Sequence, residues 1–171
     1  MEILSTEAVV LAHYVDGVLV PLPENETKWL KVFSSRWKNG DKQGMWLFAS
    51  RDEQPVSPDD KKPNAVIIAA TYAPEFPHAG AGRNCLVLTS EYRVPIMGRE
   101  IGFPAGVAEA NESTETAASR EFKEETGLDL EISYVSPPGL YSSAGHTNES
   151  IQIVFGRATG TPSNKGNEGS E

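Results

Sequence analysis

Residues 106–128 read GVAEANESTETAASREFKEETGL. The order is Gly106, five residues, Glu112, seven residues, Arg120-Glu121, an apolar Phe122, one residue, Glu124-Glu125, one residue, Gly127 and an apolar Leu128. The segment from about Ser113 to Thr126 predicts a helix. Ser113 or Thr114 can cap it, and Glu115 falls in the first turn, where the helix dipole favours a negative charge. Gly127 then stops it. Residues three and four apart share a helix face, so Glu121, Glu124 and Glu125 project within an arc of about 100°. Ala117 and Ala118 flank that arc and leave room beside it, and Phe122 points further round, towards a core.

Three carboxylates this close repel one another, and without a counter-charge at least one would hold a proton. A divalent cation removes the problem. Oxygen-only ligands suit a hard ion, with Mg²⁺ the first choice and Mn²⁺ the second. Arg120, beside the cluster, can pair with Glu112 and pin the preceding loop against the helix. The alternative, a solvated acidic face, is the usual meaning of a charge run. It leaves Gly106, Glu112 and Gly127 in register without a reason. The whole pattern resembles the Nudix box without a substitution, and chance would produce it at about one site in a billion. On these residues the chain is identified as a member of the Nudix hydrolase superfamily, and within it most resembles the ADP-ribose (ADP-sugar) pyrophosphatases. That resemblance implies an α/β fold, a mixed sheet sandwiched between helices, preceded here by a small β-rich N-terminal block. It also implies metal ligation by Glu121 and Glu125 with the Ala105 carbonyl, and assistance from Glu124.

Composition sets the outer limits. At 171 residues the chain holds one domain, or one plus a small appendage. Apolar residues make up 39%, with no run long enough to span a membrane. The start, MEILSTEAVV, lacks the basic residues of a secretory signal. A single cysteine, Cys85, excludes an internal disulfide and fits a reducing compartment, cytoplasmic or, in a eukaryote, nuclear. Its apolar run, CLVLT, suggests burial. The net charge of −9 argues against a nucleic-acid partner. It does not argue against a nucleotide sugar, because bound cations offset acid locally.

Residues 1–55 form the first block. Val9-Val10-Leu11 and Val18-Leu19-Val20 flank a turn at Asp16-Gly17. An apolar segment begins at Trp29, Asn39-Gly40-Asp41 reads as a turn, and Met45 to Ala49 as the return strand of a hairpin. All three tryptophans lie here: Trp29, Trp37 and Trp46. Taken singly, each reads as packing or a subunit interface. In the resembling enzymes this region supplies aromatic rings that sandwich adenine, and it exchanges between the subunits of a homodimer. The resemblance therefore gives adenine stacking to Trp29 and Trp46 and substrate contact to Arg51, leaving Trp37 structural. Residues 52–63 are polar, with three prolines, and read as a linker.

The Nudix hydrolase domain proper spans residues 64–171. Strands are expected at 65–72, 85–89, 130–135 and 151–155. The run EYRVPIMGREIGFPAG leads into the box. By resemblance Arg93 binds substrate, and its two-donor fork suits a diphosphate or ribose. After the box, Ser143-Ala144-Gly145 and Thr147-Asn148-Glu149 match a family loop, with Ala144 in place of its marker proline. The tail TGTPSNKGNEGSE is polar and Gly-rich. By resemblance it carries the catalytic base, best matched by Glu168, with Glu149 the rival. The family continues with a further strand and C-terminal helix beyond this point, so the chain is expected to be less active than a longer relative. The resemblance implies metal-dependent hydrolysis of ADP-ribose or a related ADP-sugar to AMP and a sugar phosphate; the alternatives are a Nudix hydrolase acting on oxidised nucleotides, dinucleoside polyphosphates or NAD(H), and a module that binds ADP-ribose without cleaving it.

Overall fold

Ser113 and Gly127 do bound a helix in the computed structural model of the chain. Helix α1 spans Thr114–Thr126. Ser113 stays extended, and its Oγ accepts the Thr116 N–H at 3.2 Å. Gly127 turns left-handed at φ 73°, returning its N–H to the Lys123 carbonyl. The structure describes residues 1–16, 18–23, 30–53, 62–74 and 82–163, which fall into two units.

The first unit holds residues up to Lys62 together with Tyr141–Ser150. Its strands are β1 (Glu2–Val9), β2 (Ala12–Val15), β3 (Val18–Pro21), β4 (Lys31–Asn39) and β5 (Lys42–Ser50). β1, β4 and β5 make an antiparallel sheet in that order, and β2 pairs with β3. The β4–β5 hairpin turns where the sequence predicts, with Gly40 at φ 60°. Period-2 alternation puts Phe33 and Ser35 on the buried face, where the Phe33 and Phe48 rings stack 5.7 Å apart. The Trp37 ring lies across Gly44, whose absent Cβ would stand 3.0 Å from it. The segment 141–150, read from sequence as part of the later block, clusters here instead. It runs along the outer edge of β5: Ala49 donates to the His146 carbonyl at 2.8 Å, and Asn148 donates to the Ala49 carbonyl at 3.3 Å. An otherwise open strand edge is covered in this way.

The second unit contains Pro63–Leu140 and the chain from Ile151 onward. It adds β6 (Ala65–Tyr72), β7 (Cys85–Leu86), β8 (Thr89–Arg93), β9 (Gly98–Gly102), β10 (Ala105–Val107), β11 (Asp129–Val135), β12 (Leu140–Tyr141) and β13 (Ser150–Thr159). The main sheet runs β10-β6-β13-β11. β6 and β13 are parallel and the outer pairs antiparallel, which makes the sheet mixed. Val66, Ile68 and Ala70 alternate onto the face that α1 covers with Ala117, Ala118 and Phe122, and Leu128, Val154 and Ala158 complete this core. The two alanines of the box are thus core contacts, small enough for helix and sheet to approach. α1 is the one α-helix among the described residues.

The stretch from Cys85 to Gly102 differs from expectation. The run Cys85 to Thr89 is broken into β7 and β8, and Cys85 is half-buried rather than buried. The run 89–102 folds as a second hairpin, β8–β9, closed by a 3₁₀ turn at Val94–Ile96 with Met97 left-handed at φ 48°. The expected linker falls largely outside the described residues.

Candidate active site

The box begins on β10 and ends on α1, and one guanidinium joins the two. Arg120 donates through Nε to Glu112 Oε1 at 3.0 Å and through Nη2 to Oε2 at 2.9 Å. The same Nη2 reaches the Val107 carbonyl at 3.1 Å, at the end of β10. A two-pronged carboxylate–guanidinium pair has strict geometry, so the loop between strand and helix is fixed by it. The Arg120 hydrogen bond holds the Glu112 carboxyl below its ordinary range, and Glu112 in turn raises the guanidinium further above its own.

Glu121 lies directly over Gly106. A Cβ on Gly106 would stand 1.9 Å from the Glu121 carboxyl carbon, so only glycine leaves room for this carboxylate against the strand. Arg120 Nη1 donates to Glu121 at 2.8 Å and, more loosely, to Glu124 at 3.4 Å. Glu125 is half-buried and pushed up to about 7, first by desolvation, then by the Glu121 charge. A hydrogen bond from the Ala105 backbone N–H opposes that rise, as does Arg93, while Glu91 adds to it. Fold and box together therefore bring Ala105, Glu121 and Glu125 to one place, with the more exposed Glu124 on the Arg120 side.

This donor set fits a hard divalent ion. Every donor is oxygen, the Gly106 gap cradles one carboxylate, and burial with the neighbouring Glu121 charge raises the Glu125 carboxyl, a strain that a cation would relieve. Among the described residues no three acidic, His or Cys side chains gather closely enough to hold an ion alone. An ion held here would therefore need waters to complete its shell.

Beside the cluster, a cleft of about 200 Å³ is lined by Ile67, Glu91, Arg93, Glu100, Phe103 and Ala105, among others. Arg93 sits between two carboxylates, with Nη2 3.0 Å from Glu91 and Nε 3.1 Å from Glu100. Glu91 and Glu100 face each other across the β8–β9 register. Glu91 went unnoticed in the sequence, although its spacing of two from Arg93 places both on one strand face.

In the first unit, Trp46 on β5 is 53% exposed, and its Nε1–H donates to the Gly145 carbonyl at 3.0 Å. Arg51 Nε donates to Glu149 Oε1 at 2.8 Å. Glu149 Oε2 accepts from the Ser142 hydroxyl at 2.9 Å. Trp29 and Glu168 lie outside the described residues.

The NUDIX domain family matches residues 75–171, more than half of the chain. The chain belongs to the NUDIX family. Members generally use divalent metal ions, in keeping with the donor set of this NUDIX domain. It is 39% identical over 69 residues to the ADP-ribose pyrophosphatase of Saccharomyces cerevisiae, a match covering 40% of this chain and 29% of that protein. It is 40% identical over 67 residues to the ADP-sugar pyrophosphatase of Mus musculus, covering 36% of this chain and 31% of that one. The matched region thus spans under a third of each of these relatives. A crystal structure of an ADP compounds hydrolase superposes with a TM-score of 0.58 at 21% identity, covering 99% of this chain and 72% of the other. That likeness establishes the α/β NUDIX fold. No helix among the described residues is long and apolar enough to cross a membrane.

Proposed function

We propose that the protein hydrolyses the pyrophosphate of ADP-ribose or a related ADP-sugar, giving AMP and a sugar phosphate. The observation that supports this reading is the complete box with its residues brought together: Glu121 seated over Gly106, half-buried Glu125 beside it, and Glu112–Arg120 holding the loop. The ADP-sugar class is supported by the names of the yeast and mouse relatives.

Mg²⁺, with Mn²⁺ second, would be held by Glu121, Glu125 and the Ala105 carbonyl, and would offset charge on the phosphate oxygens. Glu124 assists at the exposed side of the same cluster. Arg93 takes the diphosphate or ribose. Trp46, with Trp29, stacks on adenine, a contact typically worth about 1–3 kcal/mol, and Arg51 adds a substrate contact. Residues 1–55 are on this reading the substrate and dimerisation block, and 64–171 the hydrolase domain. The assembly is a homodimer, which allows one subunit's aromatic rings to serve its partner. Glu168 is the candidate to orient or deprotonate water.

Glu121→Gln and Glu125→Gln should each cut turnover of ADP-ribose by about 10²-fold or more, as loss of charge at the reacting centre does. Circular dichroism should be unchanged. Near-normal turnover in both would refute the metal assignment. Preference for NAD(H), a dinucleoside polyphosphate or an oxidised nucleotide in a substrate panel would move the specificity and keep the chemistry.

A further inference from the structure

The loop 142–149 carries an acid that is held at both carboxylate oxygens. Both carboxylate oxygens of Glu149 already accept: Oε1 from Arg51 at 2.8 Å and Oε2 from the Ser142 hydroxyl at 2.9 Å. Its backbone is held as well. The Glu149 N–H donates to Thr147 Oγ1 at 3.0 Å, and its carbonyl accepts from Ser142 N–H at 3.2 Å. The loop itself is fastened to β5 through Ala49, and its Gly145 carbonyl takes the Trp46 indole N–H. This carboxylate is held in place by a cation and a hydroxyl, one on each oxygen, and each oxygen keeps a second lone pair.

Arg51 shows the other half of the arrangement. Only its Nε is engaged among the described residues, and neither Nη group has a protein partner there. An arginine held through Nε keeps its outer pair of donors parallel and available, the geometry that grips a phosphate or a ribose diol. Without Glu149 the side chain would sample many rotamers, and the substrate would have to order it on binding.

We infer that Glu149 is a positioning residue, fixing Arg51 for the nucleotide rather than activating water, and that the 142–149 loop orients Arg51 and Trp46 together. This rests on the ADP-sugar reading above. It assigns Glu149 to substrate affinity and leaves water activation to another group.

The test is steady-state hydrolysis of ADP-ribose with Mg²⁺ by wild type, Glu149→Gln, Arg51→Ala and the double variant, with melting temperature and near-ultraviolet dichroism as fold controls. Glu149→Gln should raise KM about tenfold while kcat stays within about threefold and keeps its pH profile, the signature of lost binding that is shared by ground and transition states. The double variant should be no worse than Arg51→Ala, because the two act as one unit. Ser142→Ala, a milder change that keeps the ion pair, should raise KM about twofold to threefold. A fall in kcat of about 100-fold with loss of the acidic limb of the profile would make Glu149 the base and overturn the inference. So would an unchanged KM in Glu149→Gln and Ser142→Ala. Wild-type protein inert towards every nucleoside diphosphate sugar would instead overturn the functional reading, and this inference with it.

Discussion

Gly106 is the residue on which the acid cluster depends most directly. Its value is the absence of a side chain: a methyl group there would overlap the Glu121 carboxylate at 1.9 Å. Gly106→Ala should therefore expel Glu121 and cost about as much turnover as Glu121→Gln, some 10²-fold. Metal-dependent hydrolysis measured on the folded variant checks this, and near-normal turnover would mean that the carboxylate is not needed where it sits. Glu125 gives a second expectation. Its carboxyl is raised from 4.5 to about 7, so the folded apo protein holds a proton that the unfolded chain has released. That contribution favours the fold below pH 4.5 and is lost as pH rises to about 7. A metal ion held by Glu125, as proposed, would displace the same proton. Apparent Mn²⁺ affinity, followed by titration calorimetry without substrate, should fall about tenfold from pH 8 to pH 6. In Glu125→Gln that dependence should vanish. Equal steepness in both proteins would exclude Glu125 as a ligand.

At the scale of elements, α1 is positioned by its ends. Gly127 adopts φ 73°, and a Cβ there would also meet Ser163, at 2.2 Å from its Oγ, where the chain after β13 returns to donate to the Thr126 carbonyl. Gly127→Ala should cost about 1–2 kcal/mol for the backbone conformation alone, and more for the displaced Ser163. Thermal unfolding should begin at least about 3 °C lower, and an unchanged midpoint would contradict the capping role. The same helix was legible in the sequence to within a residue, because cap and stop are local chemistry: Ser113 bonds three residues ahead and Gly127 four behind. β6 was equally legible, since Val66, Ile68 and Ala70 need only a buried face. The β8–β9 hairpin was not. Val94, Ile96, Met97 and Ile101 are apolar yet exposed, so periodicity misleads, and Met97 makes the left-handed turn where Gly or Asn would have signalled it. β13 runs on to Thr159, four residues past its predicted end at Phe155, because its pairing with β6 continues through Gly156 and Arg157.

For the whole molecule, what sequence spacing could not supply was long-range placement. The Arg51–Glu149 and Trp46–Gly145 contacts join residues 98 and 99 positions apart, and no local pattern announces them. The acidic cluster of the box was readable because one helix and one strand carry it. The residues proposed to hold substrate were named only through resemblance, and Arg93 proves to be shared between Glu91 and Glu100. An excess of acid, −9 overall, is consistent with a protein that meets its anionic substrate through a cation. The central claim is therefore tested most directly by incubating the protein with ADP-ribose and Mg²⁺ and measuring AMP, with EDTA as the control. The account predicts AMP and ribose phosphate in equal amounts, abolished by EDTA and restored by added Mg²⁺ or Mn²⁺. AMP that persists in EDTA, or none with either ion while ADP-ribose binds, would contradict it.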